Sequence, residues 1–286
     1  MTEPNRTHRR SFITGAAMSL ASAAASRDAH AAVSREQLKL DVPFAPMAVY
    51  ARMHGSKPGK PSIWYGKAVY YGQLADRAPV PILGAEELSL VTIDYNGSDR
   101  LTEVTEKVTY FQDLESGEIL TKWRNVFTEE TLDLTRPQIK TTTLIENSVM
   151  KAEERSSYVK IDRRGNLQAP FLQGDVLTIA HEQFATFTAS ALDDQADHRA
   201  DQRWWSGIWS SFSANAGDFV EPKNGFLACH GQTFGGAPWY SWLKMGQRPG
   251  TSSMRRFATK LSSVSEAPPR LMEWIAKNHA GFLTGR

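Results

Sequence analysis

Apolar and polar residues alternate with a period of two along most of this chain after residue 61. The segment 64–71 places apolar side chains on both of its faces: Trp64, Ala68 and Tyr70 on one, and Tyr65, Val69 and Tyr71 on the other. This pattern predicts a strand that is covered on both sides. Residues 32–61 contain four prolines and predict no long element.

Turn signals divide the rest of the chain into short strands. Asn96-Gly97 follows the segment 88–95, which precedes a strand at 101–111 and a hairpin loop at 113–117. With strands at 119–126 and 131–135, this order predicts a β-meander. Further strands are predicted at 158–162 and 175–188, separated by a turn at 163–166, and at 225–230 and 239–245, on either side of a glycine-rich connection.

One helical signal stands near the end of the chain. After Pro268 and Pro269, the side chains of Leu271, Trp274 and Ile275 fall on one helical face. Nine or more strands with one helix predict a mainly β protein, an antiparallel curled sheet or barrel, calycin-like or a sandwich, with a short C-terminal helix. No linker divides residues 32–286, so we expect them to form a single β-rich domain.

The first 31 residues are typical of an export signal. Arg9 and Arg10 precede Phe12, a small-residue apolar run and Ala29-His30-Ala31, and together they resemble a twin-arginine signal peptide with its cleavage site. The segment is too short and too rich in alanine and serine to span a bilayer, and no later stretch qualifies as a membrane span. The sequence therefore predicts a soluble periplasmic protein.

Charge and cysteine content exclude several classes of function. The formal charge is +2, and removal of residues 1–31 leaves equal numbers of basic and acidic residues, so nothing favours nucleic acid or a polybasic membrane contact. The single cysteine, Cys229, excludes an intrachain disulfide and a multi-cysteine metal site, and it predicts a buried small side chain.

Aromatic residues are concentrated late in the chain, where five of the eight tryptophans lie between Phe184 and Trp242. They either fill a core or line a cavity for a small apolar or aromatic ligand. The candidate ligand-binding residues are Trp64, Tyr70, Trp123, Arg124, Phe187, Trp205, Trp209, Trp239, Tyr240 and Trp242.

Two histidines are the candidate catalytic residues. His181 shares a predicted strand face with apolar residues, so it either finds a partner within the core or acts on something bound inside. His230 lies in a glycine-rich segment next to Cys229, but adjacent strand residues point to opposite faces, which makes the two a poor nucleophile–base pair. Further acid–base candidates, each more typical of a surface ion pair, are Asp94, Glu103, Glu106 and Arg124.

No cofactor or metal is predicted for this chain. Two weaker metal alternatives stay open: His54 with His181 and His230, and Asp193, Asp194 and Asp197 with His198, although charge runs of the second kind are usually solvated. Signatures of hydrolase, zinc-protease and dinucleotide sites are missing from fitting contexts.

Several motifs together resemble the bacterial family called domain of unknown function 1838. They are the hairpin from Val108 to Leu120, Trp123-Arg124-Asn125, Thr128-Glu129-Glu130, the run from Gly235 to Tyr240 and the run from Met245 to Gly250. The resemblance covers most of residues 32–286 and fits an exported protein. It implies no established activity and supplies no catalytic residues.

Three hypotheses of function follow, and the residues leave open whether the protein is an enzyme. The first is a protein that encloses a small apolar or aromatic molecule in a barrel-like cavity. The second is a cofactor-independent acid–base enzyme, a lyase, isomerase or hydrolase, that uses the same cavity and His181. The third is a structural protein that interacts with the cell envelope. Neither ligand identity nor oligomeric state follows from the residues.

Overall fold

The computed structural model describes residues 45–56, 60–97, 99–134, 138–155, 160–188, 203–246 and 248–283. Its helices are α1 (Ala45–His54), α2 (Ala216–Val220) and α3 (Pro269–Asn278). Its strands are β1 (Ser62–Leu74), β2 (Val80–Tyr95), β3 (Arg100–Gln112), β4 (Ile119–Leu120), β5 (Lys122–Arg124), β6 (Thr131–Asp133), β7 (Ile139–Glu146), β8 (Val149–Arg155), β9 (Lys160–Leu167), β10 (Phe171–Gln173), β11 (Val176–Thr188), β12 (Arg203–Asn215), β13 (His230–Ala237) and β14 (Gly250–Leu261).

Ten of these strands form a closed antiparallel barrel, in the order β11-β12-β13-β14-β1-β2-β3-β7-β8-β9. The last pairing, between β9 and β11, closes the ring through four residue pairs from His181 opposite Leu167 to Phe184 opposite Arg164. Strands β10 and β4 extend the sheet at β11 and β3, and β5 pairs with β6 in a separate ribbon. This architecture confirms the predicted mainly β fold. Of the predicted alternatives, a curled sheet, a barrel or a sandwich, the structure is a barrel.

The C-terminal helix is also confirmed, and it explains why β1 is apolar on both faces. Leu271 and Ile275 of α3 are buried against outward-facing residues of β2 and β3, and Tyr65 packs at the same cluster. The opposite face of β1 looks into the barrel through Trp64, Ala68 and Tyr70. Both faces of the strand are therefore covered.

A helix closes one end of the barrel, where the sequence predicts no long element. Met47, Tyr50 and Met53 of α1 are buried among inward residues at the ends of the strands, including Leu101 and Ile145. Pro46 lies in the first turn of α1, where the amide hydrogen that proline lacks has no partner within the helix. The prolines of this region therefore do not exclude a helix.

Several segments are assigned wrongly from the sequence. The glycine-rich connection is itself β13, the segment predicted as a strand at 225–230 is not a strand before His230, and the segment predicted at 239–245 holds a 3₁₀ turn at Ser241–Leu243. The turn predicted at 163–166 lies inside β9, and the strand predicted at 119–126 divides into β4 and β5. From the sequence, the glycines of β13 indicate a connection between strands. Gly231, however, lies within the strand and leaves room for the rings of Phe212 and Trp64.

No helix among the described residues is both long and apolar enough to cross a membrane. The predicted export signal at 1–31 and the charged segment 193–202 lie outside the described residues.

Candidate functional site

The interior of the barrel has a polar layer between two apolar ones. Along β3, the inward residues run from Leu101 through Glu103, Thr105, Lys107 and Thr109 to Phe111. Leu101 belongs to the core beneath α1, and Phe111 belongs to a second apolar cluster nearer the other end. Strand β2 repeats the order from Val91 through Ser89 and Glu87 to Leu83. Every second residue of these strands therefore points inward, and the middle inward residues of each strand form the polar layer.

Glu103 is the centre of a buried hydrogen-bond cluster. Its Oε2 accepts from the Tyr50 hydroxyl at 2.7 Å and lies 2.8 Å from Nδ1 of His54, while its Oε1 accepts from Thr105 at 3.0 Å. Burial alone would raise the pKa of Glu103, but His54 and the Tyr50 hydroxyl outweigh it and lower that pKa to about 2. Glu103 is therefore ionised at neutral pH although it is only 5% exposed.

The C-terminal end of α1 is fixed in place by the strands around it. The carbonyl oxygen of His54 accepts hydrogen bonds from the Ser62 hydroxyl at 2.6 Å and from Nε1 of Trp64 at 3.0 Å. Lys260 donates to the carbonyl of Met53 at 3.1 Å, and a cation at a helix C-terminus also interacts favourably with the helix dipole. These bonds set the position of the His54 side chain over Glu103.

His181 faces the same cluster from β11. Its ring lies 5.9 Å from the Tyr50 ring and 6.1 Å from that of Phe212, measured between centroids. The side chain is 7% exposed, and its Nδ1 is buried without a hydrogen-bond partner among the described residues. Burial lowers the pKa of His181 to about 4, with His54 adding to the effect and Glu103 opposing it. The ring is therefore neutral at pH 7, with one nitrogen that donates and one that accepts.

Three ion pairs, formed by two carboxylates, complete the polar layer. Glu87 pairs with Arg256, and Oε2 of Glu87 lies 3.6 Å from Nζ of Lys107. Burial raises the pKa of Glu87, but these two cations outweigh it, so the net shift is downward. Nη1 of Arg163 donates to Oε2 of Glu154 at 2.6 Å, while Nε of Arg163 is buried without a partner among the described residues.

These side chains surround a cavity of about 190 Å³ in the barrel interior. Tyr50, Trp64 and Phe212 provide its aromatic wall, and Glu103, His181 and Arg163 are among its polar groups. Gly66 makes room for the ion pair of Glu87 and Arg256, since a Cβ at residue 66 would lie 2.9 Å from Nε of Arg256. The wall is thus part aromatic and part charged, whereas the sequence favours an apolar one.

The structure divides the predicted ligand-binding residues among several places. Trp64 lines the interior cavity, and the side chain of Phe187 lies outside the described part of the structure. Arg124 is exposed on the β5–β6 ribbon, where it pairs with Glu129 at 3.2 Å. The second apolar cluster brings together Tyr70, Trp123, Trp239, Tyr240 and Trp242.

Trp205 and Trp209 lie on the outer face of β12, 50% and 42% exposed. With Phe184 and Phe234 they line an outer groove of about 680 Å³. They do not face the interior cavity, because inward and outward residues alternate along the strand and Ser206 and Ser210 take the inward positions.

The remaining candidates lie apart from the cavity. His230 is exposed on the outer face of β13, 3.3 Å from the Thr259 hydroxyl, so it does not meet His54 and His181. Cys229 is fully buried, as predicted, and burial raises the pKa of its thiol to about 12. Within the described ranges, no three His, Cys, Asp or Glu side chains are grouped to hold a metal ion. Asp193, Asp194, Asp197 and His198 lie outside those ranges.

Sequence reasoning missed Tyr50, Arg163 and the central position of Glu103. Tyr50 falls in the segment where no long element is predicted, and Arg163 falls in the predicted turn. Glu103 is a candidate in the sequence but is assigned to the surface. The signal that would have found it is alternation itself, since Glu103 shares a strand face with Leu101 and Phe111.

Comparison with known proteins identifies a family but no activity. The family model described as "Protein of unknown function (DUF1838)" matches residues 62–284, and no curated protein matches the sequence. Among solved structures, Rv2717c from M. tuberculosis is 11% identical and covers 76% of this chain and 97% of its own, with a TM-score of 0.35. Ail of Yersinia pestis is 10% identical and covers 71% and 98%, with a TM-score of 0.26. OccK8 (OprE) of Pseudomonas aeruginosa is 6% identical and covers 72% and 98%, with a TM-score of 0.25.

Proposed function

This chain belongs to DUF1838, a family of proteins of unknown function, and since the family assigns no activity, we propose from the site that the protein encloses a small molecule in its barrel. The observation that carries the proposal is that His181 lines the interior cavity and its buried Nδ1 has no hydrogen-bond partner among the described residues. A buried polar atom that lacks a hydrogen bond costs about 1–3 kcal/mol. A bound molecule would supply that bond.

The size and lining of the cavity support the same function. Its volume is far above the ~10–15 Å³ that a single buried water needs, so it can hold a small molecule. Aromatic rings on one side and hydrogen-bonding groups on the other are typical of a site that orients a small ligand.

Native mass spectrometry of the purified protein tests the enclosure. We expect a co-purifying small molecule in the wild type and in Ser211→Leu, whose side chain points outward on β12. Ser210→Leu, which points into the cavity from the adjacent position, should lose it. If the wild type carries no adduct, or if the two variants carry equal amounts, the interior is not the binding site.

Export by the twin-arginine route is the second part of the proposal, and it rests on Arg9, Arg10 and the small-residue run after them. Replacing both arginines with lysine should leave the precursor in the cytoplasm, whereas the wild type should reach the periplasm. Cell fractionation of the two strains measures this. Normal export of the double variant contradicts the predicted localisation.

Acid–base chemistry on the enclosed molecule is a second candidate function, and the His54–Glu103 pair favours it. Oε2 of the ionised Glu103 lies 2.8 Å from Nδ1 of His54, so the carboxylate is placed to orient that ring through a hydrogen bond. The neutral ring of His181 adds a nitrogen that can accept a hydrogen bond beside the same pair. The cluster therefore offers the groups that a general base requires.

This candidate is tested on the molecule recovered from the protein. Fresh wild-type protein should convert that molecule to a species of different mass or chromatographic mobility, and His181→Asn should convert it at least ~100-fold more slowly. His230→Asn, on the outer face of β13, is the control. If the molecule is recovered unchanged from the wild type, the protein is a binding protein.

A further inference from the structure

We propose that the enclosed molecule is an aromatic carboxylic acid whose carboxylate is bound by Arg163 and whose ring lies against Trp64 and Phe212. This inference rests on the proposed function, because it names the class of molecule that the interior cavity takes. Nothing in the sequence points to it, since Arg163 falls in a segment that predicts a turn.

Arg163 carries the argument for an anionic group. It extends into the cavity from β9 and is 7% exposed. Its Nη1 donates to Glu154, but its Nε is buried with no partner among the described residues. A guanidinium has donors only, so the missing partner must be an acceptor. A carboxylate is the acceptor that matches the planar fork of arginine.

The permanent charges of the lining balance in the absence of a ligand. Three carboxylates, those of Glu87, Glu103 and Glu154, face three cations, those of Lys107, Arg163 and Arg256. An anionic ligand therefore enters a lining that carries no net negative charge to repel it, and Nε of Arg163 is the unpaired donor that it would meet.

The aromatic wall indicates the body of the ligand. Phe212 lies 5.5 Å from Trp64 and 4.3 Å from His54 between ring centroids, which gives the α1 side of the cavity ring edges and faces. Such surfaces favour an aromatic ring in an offset or edge-to-face arrangement. A cavity of about 150 Å³ accommodates benzene, so the interior volume suits a ring that bears one small polar group.

Benzoate and benzamide are the matched probes, because they share a ring and differ in charge. Calorimetric titration of the dialysed wild-type protein should show benzoate binding at least ~10-fold more tightly than benzamide. Arg163→Met combined with Glu154→Gln removes the ion pair as a unit and leaves no buried unpaired charge. This double variant should lose the preference for benzoate. Arg164→Met, which removes a charge from the outward face of the same strand, should keep it.

Each other outcome overturns the inference. Equal binding of the two probes, or an unchanged preference in the double variant, shows that Arg163 does not bind a carboxylate, and it leaves the enclosure of a small molecule standing. Binding of neither probe also overturns the aromatic acid. The enclosure is then judged separately by the native mass spectrum.

Should the double variant fail to fold, Arg163→Lys keeps the charge near Glu154 without the planar fork, and it should weaken benzoate binding several-fold while leaving benzamide binding unaffected.

Discussion

At the scale of single residues, two buried neighbours differ in charge. Burial opposes the charged form of both Glu103 and His181, but only the Glu103 pKa is shifted overall toward that form. Glu103 and His181 are both buried beside His54, but the pKa of Glu103 is lowered because His54 interacts with its carboxylate and the Tyr50 hydroxyl donates to it. His181 has no bonded partner at Nδ1 among the described residues, so desolvation dominates and the ring stays neutral. A partner that interacts with the charged form, through its charge or a hydrogen bond, therefore decides whether a group at this depth is ionised.

This difference predicts a specific dependence of stability on pH. The pKa of His181 is about 4 in the folded protein, against 6.5 for an unperturbed histidine in the unfolded chain. Between these values the unfolded chain binds a proton that the folded protein does not, so stability falls as pH falls from 6.5 to 4, by up to about 3 kcal/mol. In His181→Asn that part of the loss should disappear, because asparagine does not titrate.

Urea unfolding at a series of pH values measures the effect. The exposed His230→Asn variant should follow the wild type over the whole range. Curves for wild type and His181→Asn that stay parallel between pH 6.5 and 4 would contradict the neutral, buried ring.

The Tyr50 hydroxyl gives a second prediction at this scale. Tyr50→Phe removes the 2.7 Å hydrogen bond to the ionised Glu103 and should lower the free energy of unfolding by roughly 2 kcal/mol, as is typical of hydrogen bonds to charged groups. Tyr71→Phe removes a hydroxyl from the outer face of β1 and should change little. Chemical denaturation of the two variants compares them directly, and equal stabilities would show that the Glu103 cluster does not depend on Tyr50.

At the scale of elements, glycines inside strands explain both the fold and the errors in its prediction. Gly66 makes space for Arg256 and Glu87, Gly231 makes space for Phe212, and Gly165 lets β9 approach β11. None of the three needs a positive φ. In the sequence Gly165 and Gly231 look like turn or loop signals, although their role is to leave space for a neighbour.

The closure of the barrel should therefore be sensitive to one methyl group. A Cβ at residue 165 would overlap the carbonyl oxygen of Glu182, which is backbone and has no freedom to move aside. The β9–β11 pairing spans only four residue pairs, so Gly165→Ala should destabilise the protein by at least ~3 kcal/mol. Gly281→Ala, where a Cβ meets open space, should stay within about 0.5 kcal/mol of the wild type. Thermal unfolding measures both, and a melting temperature of Gly165→Ala close to that of the control would contradict a tight closing contact.

Prediction from sequence succeeded where hydrophobicity marks a face and failed where polar groups are satisfied internally. Leu271 and Ile275 define α3 because their buried stripe is plain in the sequence. Glu103 and Lys107 look like surface residues, because the sequence does not show that Glu103 meets His54 of α1 or that Lys107 meets Glu87 of the neighbouring strand β2. The fold class was therefore predictable, whereas the charged interior was not.

At the scale of the whole molecule, two different surfaces offer aromatic side chains. The interior cavity has Trp64, which is 1% exposed, and the outer groove has Trp205 and Trp209. The sequence assigns all three to one ligand, because a strand does not reveal which of its faces turns inward once both faces carry aromatic residues. The barrel separates them onto opposite sides of its wall.

Tryptophan fluorescence can therefore report which surface takes the ligand. If benzoate enters the interior, its binding should change the emission of Trp64, and the change should disappear in Trp64→Phe but persist in Trp205→Phe and Trp209→Phe. The phenyl ring keeps most of the packing against Phe212, although it loses the indole hydrogen bond to the His54 carbonyl. Circular dichroism of each variant confirms that it is folded. A change that persists in Trp64→Phe and disappears in Trp209→Phe would place the ligand in the outer groove, where none of the described lining residues offers a buried charge to hold a carboxylate.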